Sequence, residues 1–168
     1  MNALEFVDFI ENLPATNAKE TESNDVACYP IQKKGFATLE VNTEFRKLIE
    51  NYDVSQLIVW DLSFVEEIFY LKEFMVFARS CYGVIVLNTA TQEIYEISEG
   101  GDFISFVAKD EASFLDTLGE IIKLEITLSA SSDGDVVSLK NEALVKCVSL
   151  AGSSEYEGFY RSLLCIEN

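Results

Sequence analysis

No histidine occurs among the 168 residues of this chain. That absence excludes Ser-His-Asp triads, Cys-His pairs, His-ligated zinc and imidazole proton shuttles, and most familiar hydrolase chemistry goes with them. Basic residues are scarce too: 12 Lys and Arg stand against 29 Asp and Glu, for a net charge of −17. Phosphate contacts need clustered Lys and Arg, so nucleic acid is not an expected partner, and a charged partner is expected to be basic. No apolar stretch approaches the ~20 residues that a membrane span needs, and Met1 to Glu5 shows neither a basic nor a long apolar leader segment. No membrane association is expected, and a cytoplasmic address is. The four cysteines, Cys28, Cys81, Cys147 and Cys165, form no C-x-x-C pair and no metal-like spacing. They read as free thiols, with Cys28, Cys147 and Cys165 set in apolar surroundings as small buried hydrophobes. No cofactor is expected.

What is present suits one ordinary domain. The chain is 49% hydrophobic, 24% charged and 12% aromatic with two prolines, a composition that builds a core and excludes wholesale disorder. Phe6, Val7, Ile10 and Leu13 share one helical face ahead of Pro14, which predicts an amphipathic opening helix over 3–13. Residues 15–25 are polar and read as a connection, and 26–29 and 36–41 have strand-like content around Pro30 and Gly35. Asn42 or Thr43 can cap a helix carrying Phe45, Leu48, Ile49 and Tyr52. Leu57 to Trp60 is a brief apolar run, and 61–70 fits a helical turn and a strand equally.

Four strand candidates follow, Phe74 to Ala78, Gly83 to Leu87, Glu93 to Ile97 and Phe103 to Val107, separated by short polar breaks that predict an antiparallel meander. Asp110 is placed to cap a helix bearing Phe114, Leu115, Leu118, Ile121 and Ile122, which should pack across the sheet. Trp60, Val84, Val86, Phe106, Phe114, Leu118 and Ile121 are the expected core. After the break at 129–135 come two further helical patterns, about 137–150 and 155–166, that could cover the domain's own sheet or a neighbour's.

Candidate chemistry is thin. Asp133-Gly134-Asp135 lacks the further ligands and closing Glu of a calcium loop, and Gly100-Gly101 lacks the spacing of a phosphate cradle. Carboxylate pairs such as Glu66-Glu67 are bound to occur in so acidic a chain. One pattern departs from random spread: Glu93, Glu96, Glu99, Asp102, Asp110, Glu111, Asp116 and Glu120 are offset only by Lys109, so this segment alone carries −7. It reads either as a solvated face or as a docking surface for a basic partner, whose encounter a field of one sign would speed. Asp61, Glu66 and Glu67 form a second acidic candidate.

The stretch from Phe77-Ala78-Arg79 through Gly83-Val84-Ile85-Val86-Leu87 to Thr91-Gln92-Glu93-Ile94-Tyr95, followed by Val107-Ala108-Lys109-Asp110-Glu111-Ala112-Ser113-Phe114-Leu115, resembles the core of the SUKH superfamily. The likeness spans about residues 60–124, or 42–124 with the Thr43 to Tyr52 helix. Gln92 stands where that family has a hairpin glycine, no Leu-Pro-x-Asp-Tyr entry precedes the 43–52 helix, and the two C-terminal helices are additions. The resemblance implies an α+β domain, mainly an antiparallel sheet with helices packed on one side. In this chain it would be a single domain over 1–168, with a core of about 42–128 and a C-terminal helical extension over about 136–168. It also implies a function without catalysis: a bacterial immunity protein that neutralises a cognate toxin, often a nuclease or deaminase, by stoichiometric binding; a monomer or weak dimer is expected. A scaffold or regulatory interaction module and a carboxylate-based enzyme are the rival readings.

Overall fold

The computed structural model describes residues 1–13, 31–34, 43–130 and 135–166. The expected connection at 15–25, the strands at 26–29 and 36–41, Cys28 and the Asp133-Gly134 pair lie outside the described residues. Within them the chain is α+β, as the patterning predicts.

Helix α1 (Ala3–Glu11) starts at Asn2, whose side chain accepts the Glu5 N–H while Glu5 accepts the Asn2 N–H, a reciprocal cap. It buries Ala3, Phe6, Val7 and Ile10. Strand β1 (Gln32–Lys33) pairs with β2 (Tyr52–Asp53) beyond helix α2 (Glu44–Asn51), which Thr43 caps through the Arg46 N–H. Six strands then form one antiparallel meander in chain order: β3 (Ile58–Val59), β4 (Leu62–Leu71), β5 (Phe74–Arg79), β6 (Val84–Asn88), β7 (Ile94–Ile97) and β8 (Phe103–Ala108). The segment 61–70, balanced between helix and strand by its pattern, belongs to the long strand β4.

Register sets two cross-strand rows on opposite faces. Tyr70, Met75, Leu87, Ile94 and Ala108 align in one, of which all but Tyr70 are fully buried, and Phe69, Val76, Val86, Tyr95 and Phe106 align in the other. The turns are specific. Gly101 takes the positive φ of the β7–β8 turn, and Gly83 lets the Ile97 carbonyl approach where a Cβ would collide with it. Gln92 has φ +67, so it occupies the left-handed site that glycine would fill more cheaply.

Helix α3 (Glu111–Ala130) begins at Asp110, whose carboxylate accepts the Ser113 N–H at 2.7 Å. Helices α2 and α3 meet the sheet through an aromatic knot. Phe45 stacks on Phe77 with ring centroids 3.7 Å apart, and Phe114 sets its edge against both. Val84, Val86, Phe114, Leu118 and Ile121 are buried as expected.

Two core expectations are corrected. Trp60 is half-buried, because the tight turn between β3 and β4 holds it at φ +56, with its backbone N–H donated to the Glu125 carboxylate and its ring under the Lys140 ammonium. Phe106 is half-buried because it lies toward the exposed N-terminal half of the terminal strand, packed against Tyr95, Tyr156 and the exposed Phe103.

The C-terminal helices α4 (Val136–Ala151) and α5 (Glu157–Leu163), with a 3-10 turn at Ser154–Tyr156 between them, supply core residues. Cys147, Tyr160 and Leu164 are fully buried, and α5 lies against β8, so the tail covers the domain's own sheet. The Tyr160 hydroxyl donates to the Val107 carbonyl at 3.0 Å and lies 3.0 Å from Thr117 Oγ1, tying the tail to β8 and α3 at once. Cys165 departs from expectation in being exposed. It ends α5 at φ +52, with the Ile166 N–H bonded to the Arg161 carbonyl and the Cys165 N–H to that of Ser162, a left-handed terminator that turns its side chain outward.

Candidate binding surface

The acidic segment 93–120 does not form one face. Glu96 is 4% exposed and lies between strands, accepting the Ser80 and Ser105 hydroxyls. Ser80 in turn accepts the Gly83 N–H, so Glu96 braces the β5–β6 turn against β8. Glu111 is 8% exposed and accepts the Phe45 N–H at 2.6 Å, which makes it a cap on α2 supplied from α3. Burial, and after it the charge of Glu44, push its carboxyl up to about 7 against those N–H bonds. Both residues are therefore withdrawn from the expected docking surface.

Asp110 is the α3 cap, and Asp116 lies 3.0 Å from the Met1 amine. Glu120 is held by Lys123 and Lys146; burial acts to raise its carboxyl, but the Lys123 bond and the two ammonium charges outweigh it and leave it lowered. These groups complete local structure.

Glu93, Glu99 and Asp102 remain, and they flank something that the charge pattern did not indicate. Tyr95 holds together an aromatic group on the β7–β8 side of the sheet, with ring centroids 6.2 Å from Phe74, 6.1 Å from Phe103 and 5.6 Å from Phe106. Phe106 also meets Phe103 at 4.9 Å and Tyr156 at 6.5 Å. Phe103 is 56% exposed, and Phe69 emerges at the other end of the same register row. Glu93 accepts the Tyr95 hydroxyl, and burial together with that carboxylate raises the Tyr95 phenol. Glu99 and Asp102 sit in the turn between β7 and β8, both exposed, with Glu99 3.7 Å from the exposed Arg79. So loose a surface pair contributes little.

Glu66 and Glu67 are exposed at an irregularity of β4, where the pairing with β5 shifts register. Asp61 lines a cleft with Ser80, Cys81, Tyr82, Glu96, Phe159, Ser162 and Leu163, whose free space of about 10 Å³ is that of one water molecule. Burial, then Asp61, raise the Cys81 thiol, which opposes thiolate chemistry there. Among the described residues no group of three or more Cys, Asp or Glu is placed to hold a metal, and no helix is long and apolar enough to cross a membrane.

A second, weaker surface lies on α4, where Val137 and Val145 are exposed beside a groove lined by Asn141, Leu144, Val148, Glu157 and Arg161. Comparison with family models, with curated proteins and with solved structures finds no match to this chain.

Proposed function

We propose that this chain is a non-catalytic binding domain that captures a basic protein through the aromatic group around Tyr95 and the carboxylates beside it. The carrying observation is that one edge of the sheet presents an exposed Phe103, backed by Phe106 and Tyr95, between Glu93 at one end of β7 and Glu99 and Asp102 at the other. Aromatic anchors give a protein interface most of its affinity, and carboxylates around them speed the encounter with a cationic partner. The resemblance of 60–124 to the SUKH superfamily gives that partner a class, a cognate toxin neutralised by stoichiometric binding in the bacterial cytoplasm. The scaffold reading would place contact on α4 instead, and the valines there are what favours it.

The test uses the cognate toxin that this reading implies, to be sought among the products of the neighbouring genes. Changing Glu93, Glu99 and Asp102 together to Gln, Gln and Asn should slow association about tenfold at low salt and flatten its salt dependence, because the carboxylates act at long range. Phe103→Ala should instead speed dissociation about tenfold or more, at unchanged stability. Toxin protection that survives both changes in a folded chain would reduce this face to solvated surface.

A further inference from the structure

The two edges of the sheet are finished differently. At one side β3 is only two residues long, whereas at the other β8 runs for six and pairs with β7 alone. The C-terminal half of β8 is closed off. Tyr160 donates to the Val107 carbonyl, the Lys109 N–H donates to the Ala151 carbonyl at 3.0 Å, and Val107 and Ala108 are fully buried. The N-terminal half is open: Phe103 and Ile104 are 56% and 41% exposed, and Ile104 has no partner in the β7 register. Among the described residues, no helix or loop bonds to the backbone of 103–106.

Sheets commonly guard such an edge with Lys, Pro, an inward charge or a bulge; Phe103-Ile104-Ser105-Phe106 contains no Lys, Pro or charge, and the one such device on it is the bulge at Ile104. The charges around it are mostly of one sign. Glu99 and Asp102 precede it and Glu93 lies across β7, while Glu155 adjoins Tyr156, whose ring meets Phe106. Arg79, beside Glu99, and Lys109, whose side chain lies against Gly152 at the closed end of β8, are the cations nearby among the described residues.

Resting on the partner-binding reading above, we infer that residues 103–106 receive an extended, basic segment of the partner as an added strand. Its main chain would bond the free edge of β8, its apolar side chains would cover Phe103 and Phe106, and its Lys or Arg residues would meet Glu93, Glu99 and Asp102. A flat surface pressed onto Phe103 would desolvate the edge N–H and C=O groups without pairing them, and a strand pairs them.

The probe is a blocked peptide of about six residues alternating Lys and Val, compared with a twin N-methylated at its central residues, which keeps charge and composition but cannot bond as a strand. The unmethylated peptide should bind, slow amide hydrogen exchange within 103–106, and bind at least about tenfold more tightly than its twin. Ile104→Lys should weaken it. Equal binding of the two peptides, protection confined to other residues, or no binding at all would overturn strand addition. Should the peptides bind alike while Phe103→Ala still weakens the toxin complex, strand addition falls and the partner-binding reading stands. Failure of the toxin to bind the intact chain would remove that reading itself.

Discussion

Replacing Phe114 by alanine should lower the unfolding free energy by about 3 to 5 kcal/mol, the range for deleting a fully buried aromatic ring. Phe114 is 1% exposed, and its ring closes the knot with Phe45 and Phe77 through which two helices grip the sheet. The cavity would open between three elements fixed by their own backbone bonds, so it could not collapse cheaply. Denaturant titration reads the result as a lower midpoint at unchanged slope. A loss below about 1 kcal/mol would mean that the helices are anchored elsewhere.

The second large effect is a pH dependence. Glu111 is buried, and its carboxyl in the folded chain stands at about 7 against an ordinary 4.5. Between these values the folded chain binds the proton that the unfolded chain has lost, so this group's contribution to stability is present below pH 4.5 and falls as pH rises to 7. At about 1.4 kcal/mol per pH unit the loss reaches about 3 kcal/mol. Glu44 and Glu120, whose carboxyls end up lowered because N–H bonds and Lys charges outweigh burial, act with the opposite sign and only below their ordinary value of 4.5. Glu111→Gln keeps an oxygen for the Phe45 N–H and removes the charge. Unfolding curves from pH 5 to pH 8 should therefore flatten in the variant and end more stable than wild type at pH 8. Parallel curves for the two proteins across that range would refute the assignment.

The meander was legible because β5 to β8 are short apolar runs rich in β-branched and aromatic residues, separated by Gly-containing or Asn-Thr breaks, signals that depend on nearby residues alone. Strand β4 was not, because its pairing with β5 shifts between Phe64 and Phe69 and the burial pattern changes face within one strand. The acidic run was misleading for a related reason: charge spacing along the chain says nothing of which side a carboxylate takes. For Glu96 a signal existed, since in a strand it shares its face with Ile94, two residues back. For Glu111 none did, as its partner Phe45 lies 66 residues away. The aromatic group was equally hidden, because Phe74, Tyr95, Phe103 and Tyr156 converge only when four separate elements have assembled.

The fully buried Cys147 also gives the chain a built-in clock. Burial, and then the charge of Glu120, push its thiol up to about 12, and its Sγ faces the Thr117 carbonyl across the seam between α3 and α4. A thiol so protonated and so enclosed is chemically silent while that seam is shut. Cys81 and Cys165 are at the surface and can be reached by reagent without any such opening. The slow labelling of Cys147 therefore counts the openings of the α3–α4 seam, and the free energy of that opening can be followed in the native protein without denaturant.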